Sequence, residues 1–215
     1  MRHPLLAALL PTLFASTIAT ATLVAPATRP VSPAQQVTGG HDHDRRSSSV
    51  FVSSEQFETL AAVSIGWGAA PWRDGYDATI DVLRGSHYSR LGNGWWTTFD
   101  TIGAVEVGGA RIEAGSWYLG LAVDAEGAFR LLFYDSARAM KARLLPGTTA
   151  LYTGEVKPAA SAPLAFARDS LKEPATLLSI EITAEKQAPT TGKLSIRWGK
   201  HELSAPVVLH LAGAK

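Results

Sequence analysis

The residues best suited to hold a ligand lie close together in the sequence, at Arg90, Asn93, Trp95 and Trp96. A glycine stands on each side of Asn93, which predicts a tight turn at the end of a strand, where loops on a rigid scaffold often carry function. The guanidinium of Arg90 is a planar fork of donors suited to a carboxylate, a phosphate or clustered hydroxyls, and an indole ring beside it supplies an apolar floor. The segment therefore predicts a ligand-binding site.

The two tryptophans of this segment cannot both face one core, because adjacent residues of a strand point to opposite faces. One ring is then buried, and the other is exposed, lines a cleft, or is covered by residues 69–94; the covered ring is favoured because large exposed apolar patches are rare. Two interpretations of Arg90 also stay open. It binds a ligand, or it pins the turn by pairing with Asp100 or Asp81.

Two classes of function fit these residues. The first is a non-catalytic binding or interaction module, and the second is an enzyme, a hydrolase or an isomerase, with a loop-built site near Arg90, Asn93 and Asp100. The sequence contains neither a Gly-x-Ser-x-Gly nucleophile motif nor a glycine-rich phosphate loop. The binding module is therefore favoured, and any catalytic residues are unknown.

The histidines give little sign of a metal site. His201 and Glu202 begin like a zinc-protease motif, but no second histidine follows at the required spacing, so we interpret both as surface residues. Residues 41–44, His-Asp-His-Asp, are the densest group of candidate ligands, yet they form no closed four-ligand set. We predict no metal site and no cofactor.

The N-terminus has the order of a secretory signal peptide: Met, Arg and His, an apolar run over residues 5–18, and then Ala-Thr-Ala. The run contains a proline and is shorter than the ~20 residues that span a bilayer. We predict a signal peptide over residues 1–21, a disordered linker over 22–49 and a single domain over 50–215. The protein is expected to be secreted or periplasmic, without disulfides because the chain has no cysteine.

The charge balance excludes two classes of partner. The chain has 20 Lys and Arg against 19 Asp and Glu, and removal of residues 1–21 takes away only one arginine, leaving 19 of each sign. Such a chain has no basic footprint for nucleic acid and no polybasic membrane patch. The remaining partners are a small molecule, a glycan or a protein.

Two segments predict hairpins with a defined register. In residues 105–112 a Gly-Gly turn pairs Val105 with Ile112. The same register pairs Glu106 with Arg111, which carry opposite charges. In residues 117–133 a three-residue loop sets Val123 opposite Phe129, whereas a four-residue loop would exchange the core and solvent faces.

The C-terminal part predicts further strands. Residues 178–182 can pair with 194–198 across a polar loop at 184–192, and a turn at Gly199 and Lys200 sets Arg197 opposite Glu202. A last strand over 207–211 follows a proline. The fold class is therefore predicted as all-β, an antiparallel two-sheet sandwich of jelly-roll-like form, with one or two short helices at 53–60 and 164–171.

Within residues 61–211 the sequence resembles the bacterial family called domain of unknown function 2911. The resemblance lies in VEVGGARIEAGSWYL at 105–119, in KLSIRWGKHEL at 193–203, and in Arg-Leu-Gly-Asn at 90–93 followed by two threonines. It implies an exported β-sandwich and no known activity.

Overall fold

Apolar side chains alternate with polar ones along most of the chain, and these alternating runs form strands. The computed structural model describes residues 44–73, 75–85 and 88–211. The predicted signal peptide and residues 22–43 of the predicted linker lie outside the described residues. In β12, for example, every second side chain from His201 to Leu209 is buried, as a half-buried strand requires.

The first half of the described chain contains the elements β1 (Arg45–Ser53), β2 (Thr59–Gly68), α1 (Tyr76–Val82), β3 (Ser89–Arg90), β4 (Thr97–Ile102), β5 (Val105–Val107), β6 (Ala110–Ile112) and β7 (Gly115–Val123). The second half contains β8 (Phe129–Asp135), α2 (Ser136–Lys141), α3 (Thr149–Tyr152), β9 (Ala160–Ala167), β10 (Ala175–Glu185), β11 (Ala188–Gly199) and β12 (His201–Leu209). Among these elements no helix is long and apolar enough to cross a membrane.

The strands form one antiparallel sheet in the order β1-β2-β4-β7-β8-β9-β12-β11-β10, with β3, β5 and β6 attached to it. Its two edge strands approach each other, because the hydroxyl of Ser48 in β1 accepts the N–H of Ile182 in β10 at 3.0 Å. Beyond β2, the carbonyl of Ala70 accepts the N–H of Leu178 at 2.8 Å. The sheet is thereby curled into a nearly closed barrel.

The all-β, antiparallel prediction is confirmed, whereas the two-sheet jelly-roll sandwich is not confirmed. The difference is one of closure. A sandwich needs two separate sheets facing each other, and here the strands run continuously from β1 to β10.

The predicted hairpin registers are confirmed. Val105 lies opposite Ile112 in β5 and β6, and Val123 lies opposite Phe129 in β7 and β8. The pairing of residues 194–198 with β10 also holds at Ile180 and Ile196. The predicted polar loop at 184–192 is wrong, since β10 continues to its residue 185 and β11 begins at 188, leaving a two-residue turn.

Both predicted helices are wrong. Ser54 and its neighbours do not start a helix, because the Ser54 hydroxyl accepts the N–H groups of Gln56 and Glu58 and closes the tight loop between β1 and β2. Residues 164–167 belong to β9, where they pair with β8 and β12. The three helices of the described chain lie elsewhere, in connections between strands.

The predicted linker boundary also moves. Residues 45–49 form the first half of β1 and pair with β2 from Gly68 to Ser64. A sequence of arginines and serines has little apolar surface to bury. Here hydrogen bonds hold the strand in place instead, both between the backbones of β1 and β2 and between side chains, such as the 2.9 Å bond between the hydroxyls of Ser49 and Ser64.

Pro206 lies inside β12 rather than before it. On one side, β12 pairs with β9 at residues 202–204 and with β5 at 207–209. Pro206 falls in the gap between these two partners, and its carbonyl on that side accepts the N–H of Gly108 at 2.9 Å. The missing proline N–H therefore interrupts no strand pair.

Two apolar clusters hold the described chain together. The larger fills the barrel, where Trp67 is buried and Trp117 and Trp198 are partly buried. The smaller one lies among β7, β8, the segments just before β3 and β4, and the two helices α2 and α3. Its buried members are Tyr88, Trp96, Tyr118, Leu132, Tyr134, Ala139 and Leu151.

Candidate functional site

An apolar cavity of about 150 Å³ lies beneath α1, between the turn that follows β2 and the strands from β7 to β12. Most of its wall is aliphatic or aromatic. The lining residues are Ala70, Trp72, Ile80, Leu83, Ser89, Arg90, Leu91, Gly92, Leu121, Phe129, Phe166, Leu178, Ile196, Trp198, His201 and Leu203.

The aromatic part of this wall is fixed by a tight turn. Gly199 joins β11 to β12 with φ +60, and a Cβ on it would lie 2.5 Å from the ring of Trp72. Trp72 meets Trp198 edge-on at a centroid distance of 5.1 Å, and the indole N–H of Trp198 donates to the Ala70 carbonyl at 2.8 Å. A glycine is thus required both for the backbone conformation and for the position of Trp72.

His201 is the main buried polar group of the wall, with only 5% of the residue exposed. Its Nδ1 accepts the backbone N–H of Asp169 at 3.3 Å, so this nitrogen carries no proton in that arrangement. The proton therefore lies on Nε2, which donates to the Asp77 carboxylate at 2.6 Å. Both ring nitrogens are satisfied by a neutral imidazole.

The helix α1 covers the cavity. Ile80 of α1 and Leu83, directly after the helix, supply apolar side chains to the wall, and the ring of Tyr76 lies 4.9 Å from that of Trp198. The contact between Asp77 and His201 adds a polar attachment from the same helix. Among the described residues, the cover is therefore attached by the contact between Asp77 and His201 and by a small apolar face.

A second concavity of about 410 Å³, here called the Trp95 groove, lies on the outer surface. Two of the four predicted site residues, Arg90 and Trp95, line it, and Asn93 contacts Arg90 without lining the groove. Arg90 lines both the groove and the cavity, and its guanidinium donates to Asn93 Oδ1 at 3.3 Å. Trp95 is 44% exposed. The groove is lined by Arg90, Gly94, Trp95, Leu145, Pro146, Gly147 and Thr148.

Trp96 does not reach this groove, which corrects its assignment as a ligand-binding residue. It is 1% exposed and stacks on Tyr118 at a centroid distance of 4.9 Å. One ring of the pair is buried and the other exposed, although both residues lie just before β4 rather than within a strand. The prediction that residues 69–94 cover the second tryptophan ring is therefore wrong.

Trp96 and Tyr88 instead support the far wall of the groove. The indole N–H of Trp96 donates to the Leu144 carbonyl at 3.2 Å, and the Tyr88 hydroxyl donates to the Pro146 carbonyl at 3.2 Å. Burial raises the pKa of the Tyr88 phenol above its usual range, which keeps it protonated as a donor. Burial likewise raises the pKa of Tyr134, in the same cluster, to about 12.

Asp100 lies apart from these residues. It is an exposed member of β4 opposite Ser116 and lines a different groove. Within the described chain no hydrogen bond or ion pair joins it to Arg90, and the side chain of Asp81 lies outside the described residues. Arg90, Asn93 and Asp100 therefore do not surround one pocket.

Sequence reasoning missed His201, which was expected at the surface. The overlooked signal is the two-residue period, since residues 201, 203, 205 and 207 all face the core. Glu202 points the other way and pairs with Lys193 and Arg197. The described residues contain no group of three or more His, Asp or Glu side chains placed to hold a metal ion.

Comparison with known proteins adds no relative. No family model matches the chain, and no curated protein and no solved structure matches it either. The resemblance to domain of unknown function 2911 therefore stays a prediction, and the function has to be argued from the two concavities.

Proposed function

We propose that this chain is an exported, non-catalytic binding protein whose cavity beneath α1 takes a small, neutral, apolar ligand about the size of one aromatic ring. The observation that carries the proposal is the cavity itself. An apolar cavity of ~150 Å³ stays dry and can take up a molecule as small as benzene, and this one has about that volume.

The character of the wall favours a neutral ligand. Its largest contributions are apolar rings and aliphatic chains, such as Trp72, Phe166 and Leu203. His201 already uses both ring nitrogens within the protein. The one charged residue of the described lining, Arg90, is itself exposed to solvent, so a charged ligand in the apolar interior of the cavity would lose its hydration without a buried counter-charge, which is costly.

The enzyme alternative has less support. It needs Arg90, Asn93 and Asp100 around one pocket, and Asp100 lines a different groove. The signal peptide predicted from the sequence of residues 1–21 remains the reason for proposing export.

The test is thermal unfolding of the purified protein with indole, toluene and cyclohexane. A ligand that binds the folded state alone at 100 times its Kd stabilises it by ~2.7 kcal/mol. For a domain of this size that corresponds to a Tm increase of roughly 5 to 10 °C. We expect such an increase with at least one of the three compounds.

A cavity-filling variant localises the effect. Leu203→Phe adds atoms to the wall and should remove the Tm increase, whereas Leu132→Phe makes the same change in the smaller cluster and should retain it. Three unchanged melting curves would contradict the proposal. So would an equal increase in the Leu203→Phe protein, because the ligand would then bind elsewhere.

A further inference from the structure

The Trp95 groove is a second concavity that the cavity-binding function leaves unused. It combines two large apolar side chains at the surface, Trp95 at 44% exposed and Leu145 at 52%. Its volume of about 410 Å³ lies within the ~300–1,000 Å³ usual for ligand clefts. A flat ring could lie against the indole without displacing any part of the core.

The polar groups around this groove are mainly donors. The guanidinium of Arg90 has five N–H groups, of which one is used by Asn93 Oδ1 in the described chain. Asn93 Oδ1, which also accepts the N–H of Gly94 at 3.0 Å, holds the Arg90 guanidinium beside the groove, although Asn93 itself does not line it. The Thr148 oxygen accepts the N–H of Leu145 at 2.9 Å, which leaves its hydroxyl hydrogen to donate.

The charge of the groove is one-sided. Arg90 is its only charged lining residue, and no carboxylate of the described chain lines the groove or pairs with this guanidinium. A donor-rich wall with a single cation is complementary to a ligand that carries a carboxylate and several further acceptor oxygens.

From this complementarity we infer that the Trp95 groove binds an acidic sugar, a hexuronate unit of a polysaccharide. The pyranose ring has an apolar C–H face that can pack on the indole of Trp95. Its carboxylate can take a two-pronged contact from Arg90, and its ring and hydroxyl oxygens suit the Thr148 hydroxyl.

The groove is held in shape before any ligand arrives. Its wall at residues 144–148 is anchored by the indole N–H of Trp96 and the hydroxyl of Tyr88. Both donors belong to buried rings of the smaller apolar cluster. A wall fixed in this way avoids the ordering cost that a mobile loop would pay on binding.

The experiment compares methyl glucuronide with methyl glucoside, which differ in the carboxylate. Binding is followed by the indole N–H resonance of Trp95, identified by its loss in Trp95→Phe. We expect saturable shifts with the glucuronide and about tenfold weaker binding of the glucoside, the ratio expected for one charge-assisted contact.

Two variants locate the carboxylate contact. Arg90→Gln should weaken glucuronide binding about tenfold and leave glucoside binding unchanged. Arg130→Gln is the matched control, since Arg130 is an exposed arginine bonded to Ser161 on β9. Melting curves of both variants show whether each is folded.

Equal affinity for the two sugars would overturn the inference. The same holds if neither sugar shifts the Trp95 resonance, or if Arg90→Gln and Arg130→Gln bind alike. Failure here is distinguishable from failure of the cavity proposal. Trp95 forms the floor of the groove and lines no part of the cavity. The Trp95→Ala protein should therefore keep the Tm increase with apolar compounds.

Discussion

His201 and Asp77 meet at 2.6 Å, with the imidazole 6% exposed and the carboxylate 65% exposed. The contact joins the first residue of β12 to the first turn of α1. Since the Asp169 N–H fixes the tautomer of the ring, Nε2–H points at Asp77 as a donor. A buried strand residue thereby attaches the helix that covers the cavity.

Removing this attachment should loosen α1 more than it destabilises the whole fold. In Asp77→Ala, water can replace the exposed carboxylate, so the expected loss of unfolding free energy is only ~0.5–1.5 kcal/mol. Local opening of a short helix held by few contacts should rise more clearly. Hydrogen exchange of the amides at 76–82 measures this, with Asp100→Ala as the exposed control. Unchanged exchange of these amides would show that the contact does not hold the helix.

The turn at Gly199 should tolerate a methyl group far less than the turn at Gly109. Both glycines have positive φ, +60 and +80, so Ala at either site carries the same kind of backbone strain. Only at Gly199 would the Cβ lie 2.5 Å from Trp72, whereas Gly109 has no atom within 4 Å.

We therefore expect Gly109→Ala to cost ~1–2 kcal/mol and Gly199→Ala to cost at least ~1 kcal/mol more, measured by urea unfolding. The displaced Trp72 should also change the near-ultraviolet circular dichroism of the Gly199→Ala protein. Equal costs would mean that Trp72 moves aside freely.

The sequence predicted those features that depend on neighbouring residues. The registers of Val105 with Ile112 and of Val123 with Phe129 follow from alternation and turn chemistry, which act over a few positions. The exposure of Trp95 was not predictable in this way, because Trp95 and Trp96 lie in the bend before β4 rather than within a strand.

Features that join distant parts of the chain were not predictable in this way. The contact between Asp77 and His201 spans 124 positions, and the bond from Ile182 to Ser48 spans 134. Neither pair has a local signal, because each depends on how the whole sheet curls. The closure of the barrel and the cavity beneath α1 rest on such contacts.

Glu202 should make stability depend on acid pH. Hydrogen bonds from Lys193, and then from Arg197, hold the pKa of this carboxyl below its usual 4.5, against the opposing effect of burial. A lowered pKa means that the unfolded chain binds more protons, so this stabilisation is complete above about pH 4.5 and is lost as pH falls through the lower folded pKa.

Glu202→Gln should therefore be less stable than the parent by ~1 kcal/mol at pH 7, with the gap closing toward pH 3. Urea unfolding across this range is the measurement. Glu113→Gln, which removes the exposed partner of Arg111, is the control and should change stability little at any pH. A gap that stays constant down to pH 3 would show that the Glu202 carboxyl titrates alike in both states.

The neighbouring tryptophans should respond oppositely to truncation. Trp96→Ala removes a ring that is 1% exposed, stacked on Tyr118 and bonded to the Leu144 carbonyl, so it should cost ~3–5 kcal/mol. Trp95→Ala removes a ring that is 44% exposed and should cost about 1 kcal/mol or less. Urea unfolding of the two variants gives the comparison, and the conservative Trp96→Phe should recover part of the loss because it restores apolar contact without the indole N–H. If Trp95→Ala proved the more damaging change, the faces of this segment would be reversed, and Trp96 rather than Trp95 would have to line the groove.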